Sequence, residues 1–277
     1  MRERTARLIV GVLTVVCLGL ILSVVSPFTT SSPHAANPSA ERFTVGDADA
    51  FSATGRIVVE EETRLAFDGA VTADGAWYQR VVEDGVATEE YRAPNGSVYR
   101  RFTVEGADAA EQRRARFVEN EEQTILREFR KGNCVTFVTK SETAPAPQSE
   151  EPVSGTASVF VNNLWVAAYE TAETDSAGAT TYEPQPGWYE SGVVYRLTGV
   201  SGSVRADEET GAVTSANVSW TVTRGETYAH YVLSNVLYSD SMESRTTFSF
   251  DATPPPLERP AWTTEEETDA TGTTNAC

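Results

Sequence analysis

The sequence predicts an α+β protein, an antiparallel β-sheet with one or two helices packed on it, behind an N-terminal transmembrane helix. Three observations predict it. Asp-Gly and Asn-Gly pairs recur between short runs that alternate apolar and polar residues, the pattern of strands joined by tight turns. Two stretches between the strand-rich parts carry apolar residues at helical spacing. The run Leu8–Val25, LIVGVLTVVCLGLILSVV, has no charge at all.

That run comes first in the chain and sets the organisation. At about 1.5 Å per residue it reaches across a hydrocarbon core of about 30 Å with little to spare. Arg2, Arg4 and Arg7 precede it and an acidic mass follows, which keeps the N-terminus in the cytoplasm and the rest outside. Three fates are open: an uncleaved anchor, a cleaved signal peptide, or a lipidated terminus. The run is longer than a signal-peptide core of about 7–15 residues, and Ala35, Ala36 and Ala40 lie well beyond it. Cys17 follows Val15 and Val16 in mid-run, so it reads as a small apolar residue in the membrane. The expected organisation is an anchor over 1–28, a linker over 29–50, an extracellular β-rich domain over 51–262 and an acidic tail over 263–277. The expected location is the cell membrane, spanned once.

Charge narrows the partners. The chain carries 22 basic and 40 acidic residues, a net charge of −18, and its lysines are Lys131 and Lys140 alone. This excess of acid, with Arg in place of Lys, resembles the composition of proteins from extreme halophiles. There, molar salt shortens the Debye length to about 3 Å and screens the repulsion. Nucleic acid is not expected as a partner, because binding phosphates needs a basic patch.

The linker opens on a Pro/Ser/Ala/Thr spacer, PFTTSSPHAANPSAER. From Phe51 to Glu105 the signals are those of a meander. Arg56–Phe67 carries the apolar runs IVV and LAF, and turns are expected at Asp68-Gly69, Asp74-Gly75, Asp84-Gly85 and Asn95-Gly96. In SVYRRFTVE, Val98, Phe102 and Val104 fall on one face and Tyr99, Arg101, Thr103 and Glu105 on the other. A helix is expected next, capped by Asn120 with Gln123 reaching back. Its stripe is Val118, Ile125, Leu126 and Phe129, and Gly132 ends it. CVTFVTK (134–140) returns to strand, and SETAPAPQSEEPV (141–153) is a loop. A second helix is expected over Thr156–Glu170, where Ala157, Phe160, Val161, Leu164, Trp165 and Ala168 keep helical spacing; its VFV centre also suits a strand.

The C-terminal third alternates again. GVVYRLTG is followed by a break at Ser201-Gly202 and by further strands. Val218, Trp220 and Val222 oppose Ser219, Thr221 and Thr223, while Phe248 and Phe250 oppose Thr247, Ser249 and Asp251. Turns are expected at Glu209-Thr210-Gly211 and Arg224-Gly225-Glu226. Thr227–Leu237 is apolar on both faces, as in a strand covered on both sides. PPPLERPAW (254–262) closes the domain.

Residues that carry chemistry are scarce. His34 lies in the linker and His230 on the doubly apolar strand, so no zinc-ligand spacing exists. Fingerprints of serine hydrolases, P-loops and dinucleotide sites are missing. The acidic doublets Glu89-Glu90 and Glu208-Glu209 and the triplets Glu60–Glu62 and Glu265–Glu267 read as solvated surface, since neighbours on a strand point to opposite faces. No catalytic residue, metal ligand or cofactor is expected, and an enzyme is not. Asn95 and Asn217 head the glycosylation sequons of an exported chain. A Cys134–Cys277 disulfide is permitted outside the cytoplasm.

The order of parts resembles the LolA-like lipoprotein-carrier superfamily, and most nearly the haloarchaeal surface lipoproteins of that fold. The stretches that carry the resemblance are RLAFDGAVTADGAWYQRVVEDGVATEEYRAPNGSVYRRFTVE (64–105), YRLTGVSGSVRADEETGAVTSANVSW (195–220) and PAW (260–262). The resemblance implies a curved, incomplete barrel capped by helices that holds acyl chains. The chain departs from the family at the lipobox. Residues placed to line such a cavity are Trp77, Tyr99, Trp220, Tyr228, Tyr231, Val232 and Leu233. The functional expectation is a membrane-tethered cup for a lipid or other hydrophobic ligand. The alternative is a structural or interaction domain of the cell envelope with a packed interior; the sequence indicates no protein partner.

Overall fold

One curved, unclosed antiparallel sheet with two helices makes up the computed structural model, which describes residues 43–119, 123–141, 152–176, 178–190, 194–225, 241–253 and 256–264. In chain order come β1 (Phe51–Val59), β2 (Glu62–Val71), β3 (Trp77–Glu83), β4 (Val86–Arg92), β5 (Val98–Glu105), α1 (Ala107–Glu119), β6 (Gln123–Lys131) and β7 (Cys134–Ser141). After them come α2 (Pro152–Asn163), a short 3-10 turn (Leu164–Val166), β8 (Tyr169–Thr174), β9 (Ala179–Pro184), β10 (Gly187–Glu190), β11 (Val194–Asp207), β12 (Val213–Arg224) and β13 (Ser241–Asp251). Across the sheet the order is β6-β7-β5-β4-β3-β2-β1-β13-β12-β11-β9-β8, with β10 beside the start of β11. Pairing of β1 with β13 joins the N-terminal and C-terminal halves.

Both helices lie on the inner face. Val98, Phe102 and Val104 point there and Tyr99 points outward, as their alternation predicts. Helix α2 packs on β13, β1, β2 and β3. It starts with Pro152, whose missing N–H costs nothing at a first helical position. Val153, Ala157, Phe160 and Val161 form its buried stripe. The helix overlaps the predicted second helix over Thr156–Asn163 but begins earlier and stops sooner, and Tyr169 and Glu170 belong to strand β8. Three tyrosine hydroxyls meet the segment that leaves the helix, where backbone groups lack helical partners. Tyr169 donates to the Leu164 carbonyl at 3.0 Å, Tyr195 donates to the Val166 carbonyl at 3.0 Å, and the Tyr189 oxygen accepts from the Ala168 N–H at 3.0 Å. Burial pushes the Tyr195 phenol up to about 12.

Several sequence expectations are corrected. The first helix is Ala107–Glu119, whereas Gln123–Lys131, predicted helical, is strand β6; Asn120, its supposed cap, lies outside the described residues. The reason is a bulge between Ile125 and Arg127. An extra residue flips the faces that follow, so Ile125 packs inward beneath α1 and Phe129 packs outward. That switch imitates a helical stripe. Helix α1 was legible as propensity, since ADAAEQRRARF is nearly all strong helix formers.

Asp68-Gly69 is no turn but the middle of β2, and the turn of this hairpin is at Glu60-Glu61, between the IVV and LAF runs. The chain does not break at Ser201-Gly202, which pair with Ser219 and Val218; β11 is continuous, with a bulge just before them between Thr198 and Ser201. Gly202 has φ +94, and a Cβ there would stand 1.9 Å from the Asn217 carbonyl oxygen. Residues 43–50 are more than linker: Phe43 is buried edge-on against Tyr169 at 5.1 Å, and Thr44 bridges to β12's entry through Gly211 and Val213. The Asp74-Gly75, Asp84-Gly85 and Asn95-Gly96 turns form as predicted, each with its glycine at positive φ. Leu8–Val25, the Arg224-Gly225-Glu226 turn beyond Gly225, Thr227–Leu237 and most of the tail lie outside the described residues. No helix among the described residues is long and apolar enough to cross a membrane.

Candidate functional site

The inner face is divided. Below α2 it is closed by packing: Phe160, Val161 and Val153 are fully buried against Phe67, Val71, Phe248 and Val218. Below α1 a smaller core forms from Phe102, Phe117 and Phe137, their rings 5.7–6.0 Å apart, with Ala110. Beside α1 the floor of β4 and β5 stays open, and a cleft of about 640 Å³ lies there, reaching Gln123 at the start of β6. A second hollow of about 400 Å³ continues it across Val86, Thr88 and Glu90.

The cleft is amphipathic. Its apolar side is Val86, Phe102, Val104 and Phe117. Its polar floor is a chain of hydrogen bonds that crosses three strands. Thr156 of α2 donates to the Gln79 amide oxygen at 3.1 Å, and the Gln79 amide nitrogen donates to Glu90 at 2.7 Å. Glu90 also accepts from Arg100. Gln79 is buried, so both ends of its amide need these partners. Register explains the line-up: Gln79 faces Glu90 across β3–β4, and Glu90 faces Arg100 across β4–β5. From α1, Arg113 and Arg116 border the opening. The Arg113 guanidinium sits over the Phe102 ring, 5.1 Å from its centroid. Arg114 turns instead to β6 and makes a forked pair with Glu128 at 2.6–3.0 Å, which holds that carboxyl below its ordinary range.

The aromatic residues predicted to line a cavity are dispersed. Trp77 and Trp220 are both in the core beneath α2, 5% and 3% exposed. Tyr99 is on the outer face with Tyr91, Val138 and Trp262. There Leu257 and Trp262 of the C-terminal segment pack on the sheet, and Arg259 stacks over the Tyr99 ring at 5.1 Å while donating to its hydroxyl at 3.2 Å. Arg127 donates to the Trp262 carbonyl. Tyr228, Tyr231, Val232 and Leu233 lie outside the described residues. Of the side chains that line the open cleft, Phe102 and Val104 have a shared face that is legible in the sequence; Glu90 and Gln123 read there as solvated surface and helix cap, and Arg100, Arg113, Arg116 and Phe117 carry no local signal.

Of the sequon residues, Asn95 is exposed at the β4–β5 turn, where its side-chain oxygen accepts from the Ser97 N–H at 3.1 Å. Asn217 is exposed on the outer face and accepts from Arg245 at 3.0 and 3.1 Å. Cys134 is disulfide-bonded, and the chain's other cysteines, Cys17 and Cys277, are outside the described residues. Compared with protein-family models, curated proteins and solved structures, the chain matches none.

Proposed function

We propose that this chain is a membrane-tethered cell-surface domain of an extreme halophile. On a LolA-like, unclosed barrel it binds a lipid or another hydrophobic ligand in the cleft beside α1. The observation that carries the reading is that cleft: a volume within the range of small-molecule sites, open on the helix-covered face, with Phe102 and Phe117 on one wall. This cleft has other residues than Trp77, Tyr99 and Trp220, which are buried in two separate clusters. The tether rests on Leu8–Val25 and its three preceding arginines, and the halophile reading on the net charge of −18.

The test is native mass spectrometry of the full chain purified from its own membranes, compared with Thr88→Trp. Thr88 lines both hollows, so an indole there fills the floor. One retained lipid-sized ligand on the wild type, lost from T88W, is the expected result. Retention by both would assign the lipid to the anchor, and retention by neither would remove the binding reading. Protease added to intact cells should also digest residues 43–264; their full protection would overturn the surface location.

A structural domain of the envelope is the second reading. It is favoured by the complete filling of the sheet under α2, where Val153, Ala157 and Phe160 have no exposed surface. Under that reading the cleft is an incidental groove, and T88W changes nothing but stability.

A further inference from the structure

We infer that the cleft takes an amphiphile with an anionic head, carboxylate or phosphate, held by Arg113 and Arg116 while its chain lies along Val86, Phe102 and Phe117. This deepens the binding reading and rests on it. Acidic residues outnumber basic ones 40 to 22 in the chain, yet three arginines, Arg100, Arg113 and Arg116, gather around one opening. The acids there do not cancel them equally. Glu90 is already occupied by Gln79 and Arg100, which leaves Glu105 as the other carboxylate on the lining.

Arg113 and Arg116 are three residues apart on α1, so they share a face of the helix. Among the described residues neither has a carboxylate within ion-pairing distance, in contrast to Arg114 beside them, which is paired to Glu128. The ring of Phe102 beneath the Arg113 guanidinium holds that group at the mouth of the cleft. Two guanidiniums can each present a fork of N–H donors to carboxylate or phosphate oxygens. Directly below them the lining turns apolar at Phe102, Val104 and Phe117. Charge at the rim and hydrocarbon beneath is the shape of an amphiphile. Contact pairing of this kind operates at distances shorter than or near the Debye length of about 3 Å in molar salt, so it persists where long-range attraction is screened.

The experiment uses the full chain in a non-ionic amphipol, so that no free detergent competes, at one fixed molar salt concentration. Three photoactivatable twelve-carbon probes are compared: a carboxylic acid, a phosphate monoester and an alcohol. Crosslinked residues are mapped by mass spectrometry. The acid, the phosphate or both should label the segments 86–104 and 113–117 at about tenfold lower concentration than the alcohol, the factor expected for one charge-assisted contact. Which of the two is preferred separates a fatty-acid-like head from a phospholipid-like one. In Arg113→Gln/Arg116→Gln the charged probes should fall to the alcohol's level. Unchanged alcohol labelling in the same variant shows that the cleft is still folded. Equal labelling by all three probes on the wild type would overturn the anionic head and leave a purely apolar site. Charged-probe preference that survives the double substitution would overturn the role of these arginines. Absence of cleft labelling by every probe would instead overturn the binding reading itself.

Discussion

The ring of Phe160 lies directly over Gly55, so close that a Cβ at Gly55 would stand 2.6 Å from its atoms. Register accounts for the site. On the inner face Gly55 stands between Phe67 on β2 and Phe248 on β13, its cross-strand partners. Phe160 fills the gap that the missing side chain leaves, stacked 5.9 Å from Phe67 and 6.4 Å from Phe248. A glycine in mid-strand weakens a sheet by itself, and here it admits the helix that closes the core.

Gly55→Ala should therefore destabilise the protein by about 1–3 kcal/mol, the cost of overpacking a filled core. Phe160→Ala should cost about 3–5 kcal/mol through the cavity it leaves. Urea unfolding of both variants, and of Gly55→Ala/Phe160→Ala, checks the relationship. The double variant should lose less than the two changes summed; simple additivity would mean that the contact does not couple them.

The β1–β2 turn stores strain that substitution can release. Glu60 and Glu61 have φ +51 and +69, a conformation that costs a residue with a Cβ about 1–2 kcal/mol. Asn-Gly is the preferred pair for such a turn. Glu60→Asn/Glu61→Gly should raise stability by about 1 kcal/mol or more, read as a higher unfolding midpoint. A lower midpoint would place unrecognised contacts on those glutamates.

Glu128 makes stability depend on pH. Hydrogen bonds from Arg114, then from Arg130, hold its carboxyl below the ordinary 4.5 in the folded state. The unfolded chain therefore takes up the proton first as pH falls. The contribution is complete above the unfolded value and disappears as pH drops through the folded one. Glu128→Gln should be less stable than wild type at pH 7, and the difference should shrink as pH falls below 4.5 and close once pH is below the folded value. A gap of the same size at pH 3 and pH 7 would assign it to packing.

Salt should stabilise the whole chain. With a net charge of −18 the folded state repels itself more than the expanded one, and screening relieves that. Unfolding midpoints should rise steeply from 0.1 to 3 M KCl, conditions chosen to take the Debye length from about 10 Å to below about 3 Å. A flat series would remove the physical basis of the halophile reading.

Alternation along single strands determined much of this fold before any tertiary contact was known. The opposed faces of Val98–Glu105, the hairpins at Asp84-Gly85 and Asn95-Gly96, the β-rich C-terminal third and the α2 stripe from Ala157 to Val161 are local properties, decided by side-chain period and by which residues accept positive φ. What the tertiary structure decided depends on partners distant in sequence. A bulge opposite Val138 and Thr139 made strand β6 look helical, and α2 resting on Gly69 turned an apparent Asp-Gly turn into mid-strand: a Cβ there would meet Val153 at 2.8 Å. The cleft belongs to the same class. Gln79, Glu90, Arg100, Arg113 and Phe117 are unremarkable surface letters in the sequence. Strand register aligns the first three, and the docking of α1 over Phe102 brings the others to them.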